Sequence, residues 1–154
     1  MKHNNILFIL LILFVLFSGC ISRKTNDLET QYVEGIVTLD GIPVHGAHIQ
    51  FFPKLEGSGQ EAGGVSGENG FYKLSSLSGD PGKGVLEGEY LVTVAKNEAI
   101  ELPKPRINPN TGDEETHETK SVLPEIYRNK TKTPIFATVV RGKNKIDIKL
   151  ESSN

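Results

Sequence analysis

Few side chains in this chain are of a type and spacing that could do chemistry. His45-x-x-His48 sets two imidazoles three residues apart, and His117 supplies another farther along. Paired imidazoles can hold zinc or copper when further ligands complete the shell. His45 falls in a turn and His48 on the outward side of a strand, with no third ligand near them in sequence. They read as solvated histidines, so no metal site and no cofactor is expected. Asp113-Glu114-Glu115 with Glu118 offers the oxygen ligands that Ca2+ prefers, but lacks the Asp-x-Asp-x-Asp-Gly order of a preformed loop. It reads as a solvated acidic run. Catalysis needs a nucleophile or a tuned acid–base pair. The serines have no Gly-x-Ser-x-Gly context and no acid–His pairing is visible, so a non-enzyme is expected. A sugar-binding surface would stack rings on exposed aromatics. There is no Trp, which leaves Phe52 and Phe71, both expected to point outward from strands, as the candidate ligand contacts.

The remaining reactive group is Cys20, the only cysteine. Met1 to Asn5 is a short polar start with one firm positive charge, Lys2, followed by an unbroken apolar run from Ile6 to Phe17. A membrane-crossing helix needs roughly 20 apolar residues, whereas a signal-peptide core takes about 7–15. The run fits the second. A lone cysteine in an exported chain cannot form an internal disulfide. Leu16-Phe17-Ser18-Gly19-Cys20 resembles the lipobox of bacterial lipoproteins, although Phe17 stands where Leu is usual. The resemblance implies cleavage before Cys20, a diacylglycerol on its thiol and an acylated amine. Two or more chains hold a protein lastingly to a bilayer, where one does so only marginally. The expected divisions are a signal peptide at 1–19, a lipidated tether at 20–31, and one folded domain at 32–151. Ile21 stands where an aspartate would signal inner-membrane retention, which favours the outer membrane.

Without its leader the chain keeps a small negative charge, so no basic excess points to nucleic acid, and its size suits one core. Apolar and polar residues alternate along short runs separated by turn chemistry. Val33, Gly35, Val37 and Leu39 share one strand face, and Asp40-Gly41-Ile42-Pro43 turns the chain. Ala47, Ile49 and Phe51 line the next strand. Ala62–Ser66, Phe71–Ser75 with Tyr72 and Leu74 inward, and Tyr90–Lys96 with Tyr90, Val92 and Val94 inward follow. Ile135–Val140 and a last strand bearing Ile146, Ile148 and Leu150 close the chain. About seven strands punctuated by turns indicate an all-β sandwich. Asn97 to Pro134 breaks the pattern. Pro103, Pro105 and Pro109 forbid regular helix, and a mobile insertion without regular structure is expected at about 97–120. Within the remainder, Val122–Tyr127 is apolar enough to pack on the sandwich edge.

Val33-x-Gly35-x-Val37-x-Leu39-Asp40-Gly41-x-Pro43-Val44-x-Gly46-Ala47, then Gly67-x-x-Gly70-x-Tyr72-x-Leu74 and Gly88-Glu89-Tyr90-x-Val92-x-Val94, together resemble the carboxypeptidase regulatory-like domain. Its fold is a transthyretin-like, or prealbumin-like, β-sandwich. Small bacterial lipoproteins built of this domain also carry a Leu-Pro-Glu-x-Tyr segment, matched by Leu123-Pro124-Glu125-Ile126-Tyr127. The resemblance covers most of 32–151 and implies a non-catalytic module, but no ligand, since fold alone does not carry function. The expectation is a membrane-anchored, non-catalytic envelope lipoprotein that binds or organises a protein partner, facing away from the cytoplasm. The alternative is a polysaccharide-binding lipoprotein. A third reading, a transthyretin-like hydrolase, lacks the Tyr-Arg-Gly-Ser ending of the hydroxyisourate hydrolases, since this sequence ends Lys149-Leu150-Glu151-Ser152-Ser153-Asn154.

Overall fold

A computed structural model of the chain describes residues 29–78 and 83–152. The described residues are all-β, in several sheets. β1 (Tyr32–Leu39) is the centre of the first sheet. On one side it pairs antiparallel with β2 (Ile42–Pro43) and β5 (Phe71–Lys73). On the other it pairs parallel with β11 (Lys143–Lys145) and β12 (Ile148–Leu150). The second sheet has β3 (His48–Pro53), β4 (Ala62–Val65), β6 (Ser75–Ser76), β7 (Gly88–Ala95) and β10 (Phe136–Val139) in the order β10-β7-β3-β4-β6. β8 (Asn97–Ile107) and β9 (Glu114–Ser121) form a separate two-stranded ribbon. One short helix, α1 (Glu125–Arg128), precedes β10.

The alternation places the inward residues as expected. Val33 and Val37 from β1, Ile148 and Leu150 from β12, and Ile49, Phe51, Val92 and Val94 from the second sheet join one buried cluster. Two sheets sharing one core are consistent with a β-sandwich. Tyr72 and Tyr90 contribute their rings to this core while their hydroxyls donate to the carbonyls of Ile146 and Leu86, at 2.7 and 2.8 Å. A buried phenol needs such a partner. The expected Asp40-Gly41 turn is present, with both residues at positive φ, 51° and 82°. That is the type I′ geometry whose twist suits a hairpin.

Three expectations need correction. The run Phe71–Ser75, expected as one strand, is split: β5 pairs with β1 in the first sheet and β6 with β4 in the second. Leu74 is the corner, and its side chain is buried where the chain changes sheets. Next, the tether reaches less far than residue 31. Gln31 is 4% exposed and exchanges backbone hydrogen bonds with Val85, at 2.6 and 2.9 Å. Its side chain accepts from Gly142 N–H at 2.6 Å and donates to the Glu87 carboxylate at 3.2 Å. Alternation alone starts at Val33 and could not show that a polar glutamine is held by residues 56 and 111 positions away.

The largest correction lies at 97–120, expected to lack regular structure and built here as the β8–β9 ribbon. The prolines are accommodated rather than excluded. Pairing is regular from Asn97↔Ser121 to Glu101↔His117, then shifts to Arg106↔Glu115. Leu102-Pro103-Lys104-Pro105 fills the shift, so neither proline occupies a position that must donate to the ladder. Asn108 closes the tip: its N–H donates to the Asp113 carbonyl at 2.8 Å and its side-chain oxygen accepts from Asn110 N–H. The Val122–Tyr127 segment packs on the body as expected. Leu123 and Tyr127 are buried, and the Tyr127 hydroxyl bonds both the carbonyl and the amide of Glu151 beyond β12.

Candidate functional site

Cys20, the expected lipidation site, lies outside the described residues, as do the signal peptide and most of the tether. Among the described residues no helix is long and apolar enough to cross a membrane.

The side chains flagged for chemistry are placed as follows. His45 and His48 are exposed at the start of β3, and His117 sits on β9 with its Nδ1 2.8 Å from the Thr116 hydroxyl. Among the described residues no three His, Cys, Asp or Glu side chains cluster as a metal would require. Two members of the acidic run, Glu115 and Glu118, are paired. Arg106 Nε donates to the Glu115 carboxylate at 2.7 Å and Asn108 Nδ2 to its other oxygen at 2.6 Å, with Glu118 3.9 Å from the same guanidinium. The donors from Arg106 and Asn108 hold the Glu115 carboxyl below its ordinary pKa, and the Glu115 bond raises Arg106. Ser66, 3% exposed, accepts from Ala47 N–H at 2.9 Å and donates to the Val44 carbonyl at 2.5 Å. Its hydroxyl therefore ties the β3 approach to the end of β4 rather than facing a cleft.

Phe52 and Phe71 do not come together. Phe52 is on β3 in the second sheet, and Phe71 is on β5 in the first, 42% exposed. Phe52 has other companions. In register it stands beside Leu91 of β7, which stands beside Phe136 of β10, so the three form a row across the outer face of the second sheet. Two strand spacings of about 4.8 Å put the outer pair roughly 10 Å apart. Phe136 is 61% exposed. Lys130 Nζ lies 4.5 Å from the centre of the Phe52 ring, and Lys54 Nζ 5.9 Å from that of Phe136 while paired to Glu89 at 3.0 Å. Ammonium groups favour the electron-rich ring face. Phe136 was missed from the sequence because its strand alternates correctly, yet only cross-strand register shows that it continues the Phe52 row.

The ribbon is the other notable surface. Of the eleven residues of β8 only Leu102 is half-buried, and on β9 only Glu115 and Ser121. Ile100 and Ile107 are exposed at 39% and 64%. The ribbon is fixed at its root, where Val122 N–H donates to the Lys96 carbonyl at 3.0 Å and Lys96 pairs with Glu98 at 2.8 Å. Beside that root lies an open cleft of about 410 Å3, lined by Leu39, Ile42, Val44 and Val122 together with His45 and Glu98.

No family model matches the sequence, and no curated relative does. Among solved structures a 9R-lipoxygenase from Cyanothece PCC8801 is similar at 12% identity, with a TM-score of 0.39. The match covers 80% of this chain but 16% of the lipoxygenase chain. A likeness that remote carries no argument about activity.

Proposed function

We propose that the chain is a lipid-anchored, non-catalytic module of the cell envelope, built on a carboxypeptidase regulatory-like, transthyretin-like sandwich, that recognises a protein partner. The observation that carries this reading is the β8–β9 ribbon, exposed on both faces along nearly its whole length. An isolated two-stranded hairpin is marginally stable in water, and its outer edges present unpaired N–H and C=O groups that template another strand. A partner adding a strand to the ribbon would satisfy those groups, while its side chains reach Ile100, Ile107 and the cleft at the root. The lipobox resemblance around Cys20 supplies the address: lipid-held, facing away from the cytoplasm, with the outer membrane favoured by Ile21. The closed hydrogen bonding of Ser66, Tyr72 and Tyr90 fits a non-catalytic body.

In-cell crosslinking of the full-length lipoprotein tests the reading. One reproducible protein adduct that disappears when residues 98–120 are replaced by a short turn supports it. An adduct that survives the deletion places recognition elsewhere. A second reading, polysaccharide binding, is favoured by the Phe52–Leu91–Phe136 row, whose spacing suits successive sugar rings.

A further inference from the structure

Where the chain enters β1, the first sheet carries a group of lysines on its outer face. Tyr32 is the first residue of β1 and lies one residue past the pinned Gln31. Lys143 stands beside Tyr32 in register, and Lys73 and Lys145 flank Glu34 from the two neighbouring strands. Lys73 Nζ sits 4.7 Å from the centre of the Tyr32 ring. Lys143 and Lys145 are exposed, and among the described residues neither is paired with a carboxylate. Arg141, next to them, is held by both oxygens of Glu29 at 3.1 and 2.9 Å. Glu34 on β1 and Asp147, whose Oδ1 accepts from Ile36 N–H at 3.0 Å, place opposing charge among them, and Glu87 lies beside Gln31. The concentration of cations is notable in a chain whose formal charge is −2.

We infer that this face, centred on Tyr32, Lys73, Lys143 and Lys145, is a docking surface for the anionic phospholipid headgroups of the membrane that holds the anchor. The tether decides the occupant. From Cys20 to Glu29 the chain has nine steps, about 30 Å when fully extended. A domain so restrained keeps one end near the bilayer, and that end is the one where the chain enters. Exposed charge is screened beyond about 8 Å at physiological salt, so the cations act only when the face lies on the surface, which the tether permits. Lysines near an anionic membrane each add attraction, and Tyr32 supplies an amphipathic ring of the kind enriched at headgroup depth. Docked this way, the first sheet faces the lipid and the second sheet with its Phe52–Leu91–Phe136 row faces away.

The orientation rests on the proposed Cys20 anchor, so the test uses the mature chain with Cys20→Ser, which carries no lipid. Co-sedimentation is measured with vesicles of phosphatidylethanolamine and phosphatidylglycerol, and with phosphatidylcholine alone. The expected result is salt-sensitive binding to the anionic vesicles only. Lys143→Glu/Lys145→Glu should weaken it by roughly 10- to 100-fold. Lys104→Glu/Lys120→Glu, the same charge change placed on the ribbon, should leave it within about twofold. Equal binding to both lipids, equal loss in both double variants, or binding to polygalacturonate with none to vesicles would each overturn the inference. Radiolabelled palmitate incorporation into the wild-type chain in cells separates the two claims. Its failure removes the anchor, whereas failure of vesicle binding removes only this surface.

Discussion

The carbonyl of Ile146 lies in the space that a Cβ on Gly35 would occupy. β11 and β12 run beside β1 with one constant register offset, and Ile146–Asp147 is the gap between them. In that gap Ile146 N–H donates to the Glu34 carbonyl at 2.8 Å, while the Ile146 carbonyl accepts from Tyr72 Oη at 2.7 Å. The absence of a side chain at Gly35 lets the C-terminal strand close on β1 and reach the tyrosine.

Gly35→Ala should therefore destabilise the domain by about 1–3 kcal/mol through overpacking against a backbone atom that cannot swing aside. Urea denaturation of the mature chain measures it. A variant as stable as the parent would mean that the two strands do not approach this closely.

The same contact predicts a pH dependence. Burial, then the charge of Asp147, raises the Tyr72 pKa well above its ordinary value of 10.0, and burial raises Tyr90. The unfolded chain can ionise these phenols near pH 10 and the folded chain cannot. Stability is thus fully present below that pH and falls as pH rises above it. Tyr72→Phe should flatten the decline in Tm above pH 10, at a cost of about 1 kcal/mol at neutral pH for the lost hydrogen bond. An unchanged alkaline slope would show that Tyr72 ionises as easily folded as unfolded.

Asn144 makes a third prediction. It is 7% exposed, and its Nδ2 donates to the carbonyls of Val140, Gly142 and Tyr32 while its Oδ1 accepts from Val140 N–H at 2.9 Å. These bonds shape the crossing from the second sheet to the first. Asn144→Ala should cost roughly 2 kcal/mol, because backbone groups lose their partners in a poorly hydrated place. Thermal unfolding reads the loss.

On the ribbon, the Glu115 carboxyl is held low by Arg106 and Asn108. A carboxylate with a depressed folded pKa contributes above its unfolded pKa and loses that contribution as pH falls through the folded one. Protection of the β8 and β9 amides, taken relative to the intrinsic exchange rate at each pH, should fall on acidification below the ordinary carboxylate value of 4.5, and in Arg106→Gln already at neutral pH. Body strands should be unaffected, since the contact is exposed and local.

For the anchor, Cys20→Ser should abolish palmitate incorporation and leave the leader uncut by the lipoprotein signal peptidase. Acylation persisting in the variant would refute the assignment.

The alternation of Val33 to Leu39, Ala47 to Phe52 and Tyr90 to Lys96 made the strands and their buried faces legible, because period-2 patterning is local and the core enforces it. The Asp40-Gly41 turn was legible for the same reason: positive φ is a property of residue type. The expectation of a leader and of lipid on Cys20 rests on length, hydropathy and a local motif alone, and those residues lie outside the described ones. What only the tertiary structure decided is non-local. Leu74 becomes a corner between sheets because β1 and β4 offer separate edges on either side of it. Pro103 and Pro105 sit in a strand because β9 lets the register slip where they lack N–H. Phe52 joins Phe136 rather than Phe71, and Lys143 and Lys145 gather with Lys73, because cross-strand register brings together residues that sequence spacing holds far apart.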